Sequence, residues 1–311
     1  MSLTILIADP IDNKAQQMLV DAGFDVTAPG EPTQDEIIKL IPEYEVLMVR
    51  SRTKVTKEMI EAGVKLKVIG RAGVGMDTID VAAADARGIQ VMNAPGSNSR
   101  SVAEHAIGLM FALARMIPQA NASMKAGQWE KKSFKGFELA GKTLGILGFG
   151  NVGRIVAEMA RGIGMQVCVW SAPTPSSSSN NEYMICPDLH ALLARADFVS
   201  IHVPKVNETE GLISRDAFAA MREGAYLINT ARGGIVDEDA LVAALEHGTL
   251  AGAALDVYDH EPVPDQILVK HPRVIATPHI AASTKEAQIR AGVMVVEKII
   301  EWARIASPSS L

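Results

Sequence analysis

Cysteine is nearly absent from this 311-residue chain: Cys168 and Cys186 are the only two. They form no C-x-x-C pair, which excludes a disulfide framework and a thiolate metal cluster, so no metal site is expected and both read as small core residues. Basic excess is also missing. The formal net charge is −6, and a chain of this balance lacks the cationic footprint that nucleic-acid binding requires. No apolar run approaches the length of a membrane span. The amino terminus, MSLTILIADP, has no basic region, and Asp9 interrupts its apolar stretch. It reads as a first strand, not a leader. Together these absences point to a cytoplasmic protein that binds neither nucleic acid nor membrane. Aromatic residues are scarce at 5%, yet apolar residues reach 48%, enough for two aliphatic cores.

Short apolar runs alternate with amphipathic stretches through the first hundred residues. The runs are Leu3–Ala8, Phe24–Thr27, Val46–Val49, Leu66–Ile69 and Ile89–Met92. Strand, helix, strand at this spacing means a parallel sheet with helices on both faces. A longer helical pattern covers Ser99–Lys125, and its middle, AIGLMFALARMI, is apolar nearly all round. Such a helix is buried on more than one side. The following GQWEKKSFKGFELAG reads as a loop or arm. A second βα series has strands at Thr143–Leu147, Gln166–Trp170, Phe198–Val203, Ala225–Asn229, Ala253–Val257 and Val274–Thr277. The last helix, near Thr284–Ala303, is expected to return to the first domain. The fold class is therefore α/β with two doubly wound parallel-sheet domains. A Rossmann nucleotide domain, 99–282, is inserted into a flavodoxin-like substrate domain, 1–98 plus 283–311. Pro173–Asn181 (PTPSSSSNN) is a low-complexity patch, expected to be a solvated loop.

The strongest local motif is Gly148-Phe149-Gly150-Asn151-Val152-Gly153, placed between an apolar strand and an amphipathic helix. Gly148 permits the tight turn, Gly150 lets backbone approach a pyrophosphate, and Gly153 lets helix and strand pack closely. An acidic residue should end the second strand and hold the adenosine ribose; Ser171 stands there instead. Serine gives no charged acceptor and does not repel a 2′-phosphate, so the cofactor is NAD with NADP an alternative. No Arg or Lys lies between Arg161 and Arg195, leaving Asn180 or Asn181 and the serines as neutral donors.

Three later strands each end in a chemically useful residue: Arg232, Asp256 followed by Glu261, and His279. Ligands of open α/β sheets bind outside the carboxyl ends of strands, so these residues should converge with the glycine turn. Hydride removal from a hydroxy acid needs a base for the hydroxyl proton, and histidine titrates in the useful range. Glu261 would fix the tautomer of His279, while Arg232 would grip a carboxylate and polarise a carbonyl. Asp256 either orients the nicotinamide amide or supports Arg232. His202 also ends a strand and competes as the base, but the sequence pairs it with no carboxylate.

At these residues the chain resembles the D-isomer-specific 2-hydroxyacid dehydrogenases along nearly its whole length. NTARGGIVDE, GAALDVYDHEP and TPHIAASTKEA look like that family's Arg, Glu and His signatures. VRSRTKVT, GRAGVGMDTID, NSRSVAEH and the block from ARMIPQ to GILGFG are most similar to the branch acting on 3-phosphoglycerate in serine biosynthesis. The resemblance implies catalytic roles for Arg232, Glu261 and His279, and substrate contacts from Arg50, Ser51, Arg52 and the Gly73–Gly75 turn. It implies that Asn151 and Val152 face the pyrophosphate, and that Val74, Val102, Val203, Thr230, Ala231, Asp256 and Ala282 line the cofactor site. It further implies a homodimer through the 99–142 region, with Lys131 or Lys132 reaching a neighbouring pocket. Arg50, Arg52 and Lys54 cluster at one strand end, a candidate site for a substrate phosphate. Departures are Ser171 and Ala281, the latter where the family usually has glycine. Because the chain stops soon after its last helix, no feedback inhibition through a serine-sensing C-terminal domain is expected. Two alternatives stand beside phosphoglycerate oxidation: reduction of hydroxypyruvate, glyoxylate or another 2-oxo acid, and a dinucleotide-sensing corepressor-like role.

Overall fold

The computed structural model describes residues 2–171, 183–263 and 267–306. The PTPSSSSNN patch, with Asn180 and Asn181, lies outside them. The chain divides into two compact units, Met1–Asn98 with Ser283–Leu311, and Ser99–Ala282.

Numbering elements along the chain, the first unit contains β1 (Thr4–Ile7), α1 (Asn13–Asp21), β2 (Asp25–Thr27), α2 (Gln34–Leu40), β3 (Val46–Val49), α3 (Lys57–Ala62), β4 (Val68–Arg71), α4 (Val81–Ala86), β5 (Gln90–Met92) and the terminal helix α12 (Lys285–Ala306). All pairings are parallel, in the order β2-β1-β3-β4-β5. β3 is buried at all four positions because helices cover both faces of a parallel sheet. Helix starts are set by short polar caps. Thr33 and Glu36 form a reciprocal capping box on α2, while Asp12, Thr56 and Asp80 cap α1, α3 and α4. α12 joins this unit through Val295, Val296 and Ile299, which share a core with Ile5, Met48 and Val68. Small residues let it approach closely. A Cβ on Gly292 would stand 2.9 Å from that of Ala15, and one on Gly70 would stand 2.9 Å from both Val295 and Ile299.

The second unit opens with α5 (Ser99–Arg115) and α6 (Ile117–Lys125). The single helix expected over Ser99–Lys125 is thus broken at Met116, whose φ is +49°. Pro118 is the physical reason: its ring excludes the carbonyl four residues back and it lacks an N–H. That carbonyl, on Ala114, accepts instead from the Phe137 N–H at 3.1 Å, pinning the irregular arm 126–141. The sheet follows with β6 (Thr143–Leu147), α7 (Asn151–Gly162), β7 (Gln166–Trp170), β8 (Met184–Ile185), α8 (Leu189–Leu193), β9 (Phe198–Ile201), α9 (Arg215–Ala220), β10 (Ala225–Asn229), α10 (Glu238–Glu246), β11 (Leu250–Leu255), α11 (Ile267–Lys270) and β12 (Val274–Ala276). Its order is β12-β11-β10-β9-β6-β7-β8, again all parallel, a doubly wound dinucleotide-binding arrangement. Six strands were expected; β8 is a seventh. β6, β9 and β10 are central and buried, so every loop following them leaves the same carboxyl edge.

Candidate active site

The glycine turn leaves that edge after β6. Gly148 has φ +92°, and a Cβ there would stand 2.5 Å from the His202 carbonyl oxygen. Only glycine meets both constraints. Gly153 packs its α-carbon against the Gly148 carbonyl, so a side chain would drive α7 off the strand. Gly150, by contrast, faces open space, with nothing within 4 Å of a Cβ position. It is also the N-cap of α7 and supplies no capping side chain, so the first N–H groups of that helix are available to an anion. Thr230, at the end of β10, is 5% exposed and its hydroxyl has no hydrogen-bond partner among the described residues. A buried unsatisfied hydroxyl at a strand end is a position prepared for a ligand's polar atom. These features fit a dinucleotide that would lie across the edge. Val203 stands beside Gly148, its Cγ1 2.9 Å from the Cβ position; Ala231 and Ala282 are partly exposed, and Val102 is buried on α5. Asn151 is exposed and Val152 partly so at the start of α7, and Ser171 is partly exposed immediately after β7.

Beyond β10 the backbone folds back on its own side chain. Asn229 Nδ2 donates to the Arg232 carbonyl at 2.9 Å, and its Oδ1 accepts from the Ala231 N–H at 3.0 Å. This small ring presents Arg232, whose Nη1 donates to the Ala231 carbonyl at 2.7 Å. Gly233 fits because its α-carbon abuts the Tyr258 carbonyl, and the Gly234 N–H reaches Asp259 Oδ1 at 2.5 Å. The Arg232 loop is therefore fastened to the turn after β11.

That turn carries Glu261. Its Oε1 accepts from the Tyr258 N–H at 3.0 Å, and its Oε2 lies 2.6 Å from Nδ1 of His279. Both side chains remain partly open to solvent, His279 at 48%. The Tyr258 hydroxyl spans to the carbonyls of Leu255 and Thr277, at 3.1 and 3.0 Å, linking the β11 and β12 ends. Burial, reinforced by the charge of Asp256, pushes its phenol up to about 12, so the hydroxyl stays protonated and keeps its one hydrogen for these carbonyls.

Asp256 is fully buried. Its Oδ1 accepts from Thr277 Oγ1 at 2.6 Å and the Ile280 N–H at 2.9 Å, and its Oδ2 from the Ala281 N–H at 2.7 Å. Burial alone would raise its carboxyl. The nearby His105 imidazole, together with hydrogen bonds from Thr277 and the two amides, outweighs that and holds it below the ordinary range. His279 itself has φ +54°, a left-handed conformation uncommon outside glycine, and the two amides after it are the ones Asp256 holds. His202 differs. Burial pulls its imidazole down to about 4, and its Nε2 is 2.8 Å from Ser200 Oγ. It is a neutral partner of a buried serine, whereas His279 has the carboxylate.

In the first unit, Asp9 follows β1 and is 2% exposed. It accepts from the Arg50 N–H at 2.6 Å and from the Thr53 hydroxyl at 2.6 Å. Arg52, a further candidate for facing the substrate, keeps its side chain 40% exposed while its guanidinium is tied to the loop. It pairs with Asp9 at 2.9 Å and donates to the carbonyls of Ala8 and Pro32. A buried carboxylate and two carbonyls compete for it, so its first task is to hold the strand-end loop. Ser51 and Lys54 are exposed. Gly73 lies against the Arg71 guanidinium where a side chain would clash, and the Val74 carbonyl accepts from Asn93 Nδ2 at 2.6 Å. Gly73, Val74 and Gly75 are all partly exposed. Sequence reasoning did not assign Asp9, His105, Tyr258 or Thr277 a role; each acts through hydrogen bonds to distant segments, which no local motif announces.

Comparison with known proteins agrees with this architecture. The family described as D-isomer specific 2-hydroxyacid dehydrogenase, NAD binding domain, matches residues 107–281. A D-3-phosphoglycerate dehydrogenase of Archaeoglobus fulgidus is 46% identical over 303 residues, covering 97% of this chain and 58% of that protein. A hydroxypyruvate reductase of Thermotoga maritima is 46% identical over 298 residues, covering 95% of this chain and 96% of that protein. The chain thus spans little more than half of the first relative and nearly all of the second. The solved NAD+-bound 3-phosphoglycerate dehydrogenase of Entamoeba histolytica superposes with a TM-score of 0.81 at 30% identity, covering 99% of this chain and 98% of that one. The chain belongs to the D-isomer-specific 2-hydroxyacid dehydrogenase family, as its Arg, Glu and His signatures imply.

Proposed function

We propose that this protein is a nicotinamide-dependent dehydrogenase of D-2-hydroxy acids, with 3-phosphoglycerate and its 2-oxo product as the preferred pair. The observation that carries this reading is the 2.6 Å pairing of Glu261 with His279 at the edge that also bears Arg232 and the glycine turn. Glu261 holds Nδ1 of the imidazole and leaves Nε2 to exchange a proton with the substrate oxygen. Oxidation delivers the hydroxyl proton to Nε2; reduction returns it to the carbonyl oxygen. Arg232 draws the substrate carboxylate and stabilises charge growing on that oxygen. A bound nicotinamide dinucleotide supplies or receives the hydride. Gly148, Gly150, Asn151, Val152 and Gly153 would hold its pyrophosphate. Val74, Val102, Val203, Thr230, Ala231, Asp256 and Ala282 would line the rest, and Ser171 the adenosine ribose. NAD is the cofactor assigned, and NADP is admitted because Ser171 brings no negative charge against a 2′-phosphate.

Substrate recognition is assigned to Arg50, Ser51, Gly73 and Gly75, with Arg52 supporting the loop. Arg50 opens on a hollow of about 280 Å³ in the first unit, at the carboxyl ends of β1, β3 and β4, where Lys285 supplies a second cation. β1 and β3 flank the point where strand order reverses, the usual ligand position in such sheets. Two cations there support a phosphorylated substrate. Reduction of unphosphorylated hydroxypyruvate is the second reading, favoured by the end-to-end match to the Thermotoga enzyme. A homodimer through the 99–142 region is supported by exposed apolar side chains there: Phe111, Ile117, Met124 and Trp129, the last 80% exposed. Lys131 and Lys132 lie on the same exposed arm. Among the described residues no helix is long and apolar enough to cross a membrane. The free, buried cysteines support placement in a reducing cytoplasm.

The test is initial rates with NADH and NADPH on phosphohydroxypyruvate, hydroxypyruvate and glyoxylate. The expected result is highest kcat/KM with NADH and phosphohydroxypyruvate. Equal efficiency on hydroxypyruvate would move the assignment to the second reading, and no turnover of any 2-oxo acid would remove it.

A further inference from the structure

We infer that His105 is a positioning residue for His279, acting through Thr277 and Asp256 on the backbone that carries the acid–base imidazole. This rests on the reading of His279 given above. His105 lies on α5, far from the carboxyl-edge loops in sequence. Its Nε2 is 3.2 Å from Thr277 Oγ1 and 3.6 Å from Asp256 Oδ1, with its side chain 22% exposed.

The direction of each hydrogen bond follows from a count of protons. Asp256 is held ionised, so both its oxygens only accept. The 2.6 Å contact from Thr277 therefore uses the single hydroxyl proton of that threonine. Its oxygen is left as an acceptor, and the group facing it is His105 Nε2, which must carry the hydrogen. His105 donates to Thr277, Thr277 donates to Asp256, and Asp256 takes the N–H groups of Ile280 and Ala281. Hydrogen bonds aligned this way polarise one another.

The consequence falls on the residue just before those amides. His279 is in the left-handed region at φ +54°, a conformation that persists only where its surroundings enforce it. Here the enforcement is the Asp256 clamp on the next two residues. Ala281, where the family usually has glycine, is 4% exposed and gives its N–H to that clamp. Loss of the His105 donor leaves Thr277 free to turn its proton elsewhere, for example to the Leu255 carbonyl already 3.5 Å away. Asp256 would then lose one of its supports, and the imidazole would shift relative to Glu261.

His105→Gln keeps an N–H at nearly the Nε2 position, whereas His105→Leu removes it. The expected result is a kcat about tenfold lower for H105L, with the KM for NADH unchanged and most of the kcat restored in H105Q. A second readout needs neither substrate nor cofactor. Amide hydrogen exchange at Ile280 and Ala281 should quicken about tenfold in H105L and stay near wild type in H105Q. Thr277→Val should reproduce H105L, and the double variant should be no worse than T277V alone, since both break one chain. Should H105L fail to fold, the comparison of H105Q with T277V decides the matter: H105Q behaving like T277V overturns the inference. Unchanged exchange and kcat in H105L, or additive losses in the double variant, also overturn it. If wild-type protein turned over no 2-oxo acid, the functional reading would fall while the exchange result still judged the clamp.

Discussion

The two sheets of this protein share a plan but use their strand ends differently. In the first, the buried carboxylate after β1, Asp9, is saturated by the Arg50 N–H, Thr53 and the guanidinium of Arg52. In the second, Asp256 is equally buried and saturated, but the segment it fixes ends in an imidazole left half open to solvent. Among the described residues, the same edge also keeps an unsatisfied threonine hydroxyl, a glycine with empty space above it and an uncapped helix start. Chemistry is therefore not a property of the doubly wound sheet. It arises where a saturated buried group holds an unsaturated one in the open.

The largest expected effect breaks the second edge at its open member. His279→Ala should lower kcat by ~10²–10⁴-fold with cofactor affinity retained, measured by steady-state rates and NADH fluorescence titration. Next is the buried anchor. Asp256→Asn should cost about 3 kcal/mol in urea unfolding, because charge-assisted bonds to three donors are weakened at once. The carboxyl of Asp256 is depressed in the fold. Its contribution is therefore full above the unfolded value near 4 and withdrawn as pH falls through the lower folded value. The N variant should lose that acid sensitivity. Asp9→Asn should destabilise comparably, yet act on KM through Arg50 while leaving the acid–base step in place.

His202 offers an intermediate effect with a different pH window. Its imidazole falls from 6.5 to about 4 on burial. The unfolded chain thus binds the proton that the fold refuses, and stability is complete above pH 6.5 and drains away toward pH 4. The difference corresponds to about 3 kcal/mol at most. Chemical denaturation of His202→Asn across that interval should show a flatter profile than wild type, and an unchanged slope would show that the imidazole is solvated.

Much of this was legible in the sequence for one reason: the buried central strands are continuous apolar runs. Val46–Val49, Thr143–Leu147, Gln166–Trp170 and Ala225–Asn229 have the same bounds in the sequence reading and in the structure. Where tertiary forces decide, the pattern misleads. Apolar periodicity continues across Met116, but the ring of Pro118 and the Phe137 N–H on the Ala114 carbonyl end the helix. β8 is two residues long and leaves no periodic signal. The site divides the same way. Residues at strand ends announce themselves, because topology alone sends them to one edge. Arg52 reads as one more cation, and its pairing with Asp9, 43 positions earlier, has no local signal. His105 reads as a polar interruption in an apolar helix, since its partner is 172 residues away.

The smallest expected effect tests whether the first edge is as closed as the comparison makes it. Arg50 and Lys285 are its available cations, both lining the hollow at the β1 and β3 ends. Asp12 also lines it, but its carboxylate accepts from the Lys14 N–H at 2.9 Å and caps α1, so part of its charge is already committed. Lys285 is exposed, and an ammonium in water gains only modestly from a phosphate. Lys285→Gln should therefore raise the KM for phosphohydroxypyruvate about fivefold, close to 1 kcal/mol, and that for hydroxypyruvate by less. Raising ionic strength should shrink the gap between wild type and K285Q, because a solvent-facing charge is screened within about 10 Å at 0.1 M salt. If both substrates weaken equally at every salt concentration, Lys285 does not read the phosphate, and the open chemistry of this protein is confined to its second sheet.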